Sequence, residues 1–249
     1  MAKPTSSTLS DSLHYFGYEI EEQIYRDVIS TLERIKAGGR SEDLGREAAN
    51  NLVVLTRIGL QAYYERPASL IELSPLVRKA ADTGISTIFK AVDMVIHKVM
   101  AKRSLEELQT MAHDMCHLIC VAEGADPSYY ICFPLPAHLF ERSQTLLARV
   151  QQDSNVDLYR HDIIQSLEEL IEEAIGVFYT SPISKVQVGR ITKAAADVGM
   201  TTVKKGSSMV LNKVFKTMPH AEMLPLAAYF ETLLHQGILS YHGLHQSAR

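Results

Sequence analysis

Lys79 to Met100 reads K-A-A-D-T-G-I-S-T-I-F-K-A-V-D-M-V-I-H-K-V-M, and Ala194 to Phe215 reads A-A-A-D-V-G-M-T-T-V-K-K-G-S-S-M-V-L-N-K-V-F. Sliding the chain by 115 residues aligns Tyr64–Val99 with Tyr179–Val214 without a gap, and 13 of those 36 positions are identical. Chance identity at ordinary composition is about one in fifteen. The chain therefore reads as a tandem duplication, with two similar halves of ordinary domain size.

Working outward, both halves follow a helical programme. Leu13, Phe16, Ile20, Ile24, Val28, Leu32 and Ile35 recur every three or four residues, which predicts one amphipathic helix over 11–37 closed by Gly38-Gly39. Ser41, with Glu42 and Asp43 in the first turn, opens a helix that reaches Tyr64 before Pro67 stops it. Ser74-Pro75 starts the repeated stretch, Gly84 is expected to end a first helix, and Ser86 or Thr87 to cap a second. Ser104 with Glu107 forms a capping box for a helix predicted to run to Gly124. Three prolines and clustered aromatics mark residues 125–137 as a packed linker, after which the programme repeats. No stretch alternates convincingly with period two, so the expected fold is all-α, a tandem duplication of a roughly five-helix bundle unit with pseudo-twofold symmetry. The expected layout is a tail at 1–10, repeat one at 11–124, the linker, repeat two at 138–237 and a tail at 238–249.

Composition narrows the class. Apolar residues make up 46% and charged residues 22% of 249, the balance of a globular chain with a sizeable core. The opening M-A-K-P-T-S-S-T-L-S-D lacks a signal-peptide apolar run and no stretch is apolar enough to span a bilayer, so a cytoplasmic protein without a membrane partner is expected. Three cysteines make no disulfide framework. Net charge is −4, yet 75–103 carries +4 and 190–218 carries +5, which leaves −13 for the remainder. A basic segment in each half of an acidic chain suits an anionic partner, although charge runs more often form solvated faces or attract one another in the fold.

Four groups of residues could carry chemistry. Lys90, Met94 and Lys98 lie at i, i+4 and i+8 on one helical face, and Lys205, Met209 and Lys213 repeat them. Two cations flanking a polarizable side chain could grip phosphates or an acidic helix; the plainer reading is a core-boundary Met with lysines reaching to water. The repeated helix pair around Gly84 and Gly199 resembles a DNA-reading helix-turn-helix, but Lys90 and Lys205 occupy positions where that module wants an apolar residue. His113, Cys116, His117 and Cys120 offer zinc-type ligands along one predicted helix; four such positions span two turns and cannot surround one ion unaided. Their counterparts Ala228, Glu231, Thr232 and His235 do not repeat the set. Glu168, Glu169, Glu172 and Glu173 repel one another unless bases lie opposite, as the basic windows could.

No nucleotide-binding loop, nucleophile elbow or metalloprotease motif is present, so no cofactor is expected. The sequence is read as a non-enzymatic binding or regulatory protein whose repeated basic surface meets an anionic protein partner. The alternatives are a nucleic-acid-binding regulator using the two basic segments, and a metal- or small-molecule-binding bundle using His113, Cys116 and His117. A groove at the symmetry axis, lined by the aromatic linker, is where a ligand is expected.

Overall fold

The computed structural model describes residues 14–100, 103–122, 124–185, 189–237 and 239–240. The tail expected over 1–10, and that over 238–249 apart from 239–240, lie outside the described residues.

The chain is mostly helical, with a small antiparallel sheet that the all-α expectation lacked. Strand β1 (His14–Ile20) leads into α1 (Glu22–Ala37) and α2 (Ser41–Leu60). A π-helical segment, Gln61–Glu65, and the short α3 (Arg66–Ser69) follow, then the 26-residue α4 (Pro75–Met100), α5 (Leu105–Met115) and β2 (Ile119–Ala122). The remainder runs β3 (Ser128–Leu135), α6 (Ala137–Gln152), a 3-10 turn at Val156–Leu158, α7 (Arg160–Ile175), a π-helical segment Gly176–Thr180 and α8 (Ser181–Ser184). It ends with the 26-residue α9 (Arg190–Phe215), α10 (His220–Glu231), β4 (Leu234–Gln236) and β5 (Leu239–Ser240). The bounds of α1 and α6, of the two π segments, of α3 and α8, and of α4 and α9 are each offset by 115 residues.

Several expected boundaries hold for the physical reasons given. Val28, Leu32 and Ile35 bury one face of α1, and Gly38 closes that helix at φ 87°, a conformation that disfavours side chains, with its N–H donated to Arg34 O and Ile35 O. The capping box forms reciprocally: Glu107 N donates to Ser104 Oγ at 3.2 Å and Ser104 N to Glu107 Oε2 at 3.0 Å.

Three expectations are corrected. The helix predicted from residue 11 is a strand as far as Ile20, because Tyr15, Phe16, Gly17 and Tyr18 are all buried and no polar alternation survives to betray period two. The stretch 125–137, expected to be a packed linker, contains β3, paired on both sides. The breaks at Gly84 and Gly199 are absent. Among the described residues only Gly38 and Gly237 have positive φ, so each repeated stretch is one continuous helix that tolerates an interior glycine at about 1 kcal/mol.

The sheet runs β4-β1-β3-β2-β5. Gly17 faces Cys132 in the β1–β3 ladder, and these two residues are themselves 115 apart, so the pairing reads the same from either strand. A Cβ on Gly17 would overlap Cys132 Sγ and the Ile131 carbonyl and come within 2.7 Å of Cys132 Cα. One sheet face supplies Phe16, Tyr18, Ile131 and Phe133 to the larger core beneath α1, α2 and α5; a second core of Leu146, Val150, Phe215, Met223 and Leu226 fills the space among α6, α7, α9 and α10. The two long helices α4 and α9 pack on each other, α4 also against α2 and α9 against α7.

Burial at the sheet gives a pH signature. Tyr18 donates to Leu55 O at 2.8 Å, and burial pushes its pKa well up; Tyr15 is pushed up to about 12, first by burial and then by the Cys120 and Cys132 thiols. An ordinary phenol titrates near 10. The folded chain holds these protons more tightly than the unfolded one, so their stabilisation is complete below about pH 10 and is lost as pH rises towards 12. The urea midpoint is expected to stay level from pH 8 to 9.5 and to drop measurably by pH 11.5; a midpoint that holds to pH 11.5 would contradict this assignment.

Candidate functional site

The face that α4 and α9 turn away from the core carries the twice-repeated stripe. Lys90, Met94, Lys98, Lys205, Met209 and Lys213 are all exposed, Met94 at 45% and Met209 at 61%. Exposure of this degree is uncommon for methionine, a residue type that usually goes inside. Val198, seven residues before Lys205 and hence on the same face, is 68% exposed. Apolar area therefore sits between cations on α9 as well as on α4.

Neighbouring bases are engaged elsewhere. Arg78 donates to Ala68 O at 2.8 Å, Lys193 pairs with Asp197 at 3.1 Å, and Lys204 lies 3.6 Å from Glu172. Among the described residues, none of Lys90, Lys98, Lys205 and Lys213 forms an ion pair or side-chain hydrogen bond. The acidic run on α7 is used for packing: Glu168 accepts from Ser208 at 2.5 Å and from Asn212 at 3.4 Å on α9, and Glu169 accepts from Arg142 on α6. Arg142 accordingly holds the Glu169 carboxyl below its usual range. Of the α7 acids, Glu172 meets the second basic window through Lys204, whereas Lys205 and Lys213 form no ion pair among the described residues.

Each long helix is set by the same hydrogen bond. Tyr64 Oη donates to Asp82 Oδ1 at 2.8 Å, and Tyr179 Oη to Asp197 Oδ1 at 3.0 Å. Both tyrosines stand in the π-helical segments, which re-aim side chains relative to a continuous α-helix. The first segment also leaves the Ala62 carbonyl to Tyr229 Oη of α10 at 2.7 Å. Tyr64 and Asp82 thus recur with a shared hydrogen bond, whereas Lys90, Met94 and Lys98 recur without a side-chain bond among the described residues.

The metal-type residues are separated by the fold. The helix predicted to reach Gly124 ends at Met115, so His113, Cys116, His117 and Cys120 do not share one helical face. The rings of His113 and His117 meet edge-on at 5.4 Å on the surface. Cys116 is buried, and burial pushes its thiol pKa up despite Lys36 nearby; Cys120 is fully buried in β2, beside Cys132. Among the described residues, no group of three or more His, Cys, Asp or Glu is placed to hold a metal ion. No described helix is long and apolar enough to cross a membrane.

Sequence reasoning missed an internal space. A cavity of about 60 Å³ lies in the second core, walled by residues that include Leu146, Val150, Leu170, Phe215 and Leu226, with Ser143 and Ser166 its polar side chains. Nothing in the pattern of apolar residues announces it, because a missing side-chain volume leaves no periodicity.

No family model matches the chain, and neither a curated protein nor a solved structure is similar to it.

Proposed function

We propose that this is a non-enzymatic, cytoplasmic binding protein, arisen by tandem duplication, whose α4 and α9 present a repeated Lys-Met-Lys stripe to an acidic protein segment with apolar side chains. The observation that carries this reading is that Lys90, Met94, Lys98, Lys205, Met209 and Lys213 recur at equal spacing, remain exposed, and have no ionic or hydrogen-bonding role within the described residues. An acidic amphipathic helix would place carboxylates on the lysines and bury its apolar face on the methionines, whose flexible thioethers adapt to a partner's shape. Exposed pairs contribute little singly, so the affinity would come from methionine burial and the selectivity from charge. The offset of 115 residues shared by the helix bounds and the sheet register supports the duplication.

The test is charge reversal of the stripe. The quadruple variant K90E/K98E/K205E/K213E is expected to keep the wild-type circular dichroism and melting temperature, and to lose at least tenfold in affinity for the partner that cross-linking through Lys90 or Lys205 identifies. Unchanged affinity in the variant would remove the stripe from the interface. The nucleic-acid reading is tested in the same preparation with a duplex of random sequence, where it requires affinity to fall steeply with salt. The continuous α4 and α9 lack the turn that would present a recognition helix in the major groove, which favours protein over nucleic acid.

A further inference from the structure

The cavity in the second core is larger than native packing ordinarily leaves, since well-packed interiors hold few voids larger than a water molecule. At about 60 Å³ it is several times the roughly 10–15 Å³ that one water needs on the same measure. Water is a poor occupant. It needs two to four polar partners, and the Ser143 and Ser166 hydroxyls, which share one hydrogen bond at 3.2 Å, are the polar side chains of an otherwise apolar wall. Leu147, Ile163, Leu167, Phe230 and Leu234 along its border are only half-buried, so the space communicates with the surface between helices.

The wall of this space differs from the matching part of the first half in its polar groups. The residues 115 positions before Ser143 and Ser166 are Val28 and Asn51, both larger. In that half Asn51 Nδ2 donates to Thr31 Oγ1 at 2.9 Å, and Thr31 Oγ1 donates to Glu47 Oε1 at 2.8 Å, so polar groups bridge α1 and α2; the residues 115 positions after Thr31, Glu47 and Asn51 are Leu146, Asp162 and Ser166. Small residues face each other across α6 and α7, where the two serines share one hydrogen bond.

We infer that this cavity is a binding site for the end of a hydrocarbon chain. An alkyl terminus supplies the contacts the apolar wall lacks and extends through the half-buried border with its polar end in solvent. The site lies among α6, α7, α9 and α10, not on the exposed stripe, so the inference does not depend on the partner proposed above.

A hydrocarbon chain can arrive as a free fatty acid or as a lipid, and titration calorimetry separates the two with decanoic acid below its micelle concentration in one arm and phosphatidylcholine vesicles in the other. Saturable binding of one decanoic acid per chain is expected. Ser143→Val, which introduces the residue found at position 28, and Ala227→Leu, which fills the wall from α10, are each expected to weaken it at least tenfold; Ser143→Val also removes the Ser166 Oγ partner, so the melting temperature of each variant is measured alongside to show that it is folded. Two variants on different helices guard against a single misfolded one. The stripe variant K90E/K98E/K205E/K213E is expected to bind decanoic acid as the wild type does. Vesicle binding that both filled variants abolish, alongside decanoic acid binding, extends the site to lipid tails. Absence of saturable decanoic acid binding, or equal binding by wild type and both filled variants, would overturn the inference.

Discussion

Gly17→Ala is expected to lower the folding free energy by about 3 kcal/mol or more, at the upper end of what overpacking costs. Gly17 occupies the centre of β1, where β1 and β3 approach so closely that a Cβ would overlap Cys132 Sγ and the Ile131 carbonyl. A flexible side chain could move aside, but the Ile131 oxygen and Cys132 Cα belong to the backbone of the neighbouring central strand. Removing the thiol as well, in G17A/C132A, is therefore expected to restore little. Urea unfolding measures both: a Gly17→Ala midpoint within 0.5 kcal/mol equivalents of wild type, or full rescue by C132A, would show that the strands can separate locally without cost.

Arg160→Ala is the second large effect. Arg160 opens α7, yet its Nη1 donates to Phe215 O at 2.5 Å and to Met218 O at 2.9 Å, closing the C-terminal end of α9, where carbonyls have no helical partner. Its cation also lies at the negative end of the α9 dipole. The side chain is 15% exposed, whereas Asp157, which accepts from Nε and Nη2, is 81% exposed and adds little. Truncation leaves two carbonyls without this donor, at about 1–3 kcal/mol each, so a loss of about 2–6 kcal/mol is expected, towards the lower end where water reaches them. Amide exchange should accelerate in the last turn of α9 before it does so in α4; uniform acceleration would mean that Arg160 supports the whole core instead. Because the same helix bears Met209 and Lys213, frayed α9 should also weaken partner binding.

The helices were legible where side chains alternate between core and water. The Gly38 end of α1, the Ser104–Glu107 box and the Pro75 start correspond to real boundaries because each depends on local contacts. The strands were not legible, for a physical reason that differs between them. In β1 both faces are largely buried, and Phe16 and Ile20 fall four apart, as they would on a helix. In β3 Pro134 suggested a break, yet it sits near the strand end and is exposed, where a missing N–H is tolerated. Gly84 was overread: helical conformation is open to glycine, and only tertiary packing decides whether α4 bends there or continues. For the candidate site, spacing alone placed the lysines and methionines on one face, and the structure adds their exposure and their lack of bonds among the described residues. The cavity needed two halves in three dimensions to be seen at all.

The strand order has a consequence for how this chain comes to be made. β1 leaves the ribosome before both its neighbours, β3 and β4, the second so far along the chain that Phe16 pairs with Leu234. β2, in turn, waits for β3. Neither half can satisfy its own strand edges while it is alone, so the nascent amino-terminal half carries unpaired backbone until β3 and β4 have been made. Closing so long a loop is slow, and the same exposed edges would pair two unfinished chains with each other. Covalent linkage of the halves is what makes the correct partner the nearest one.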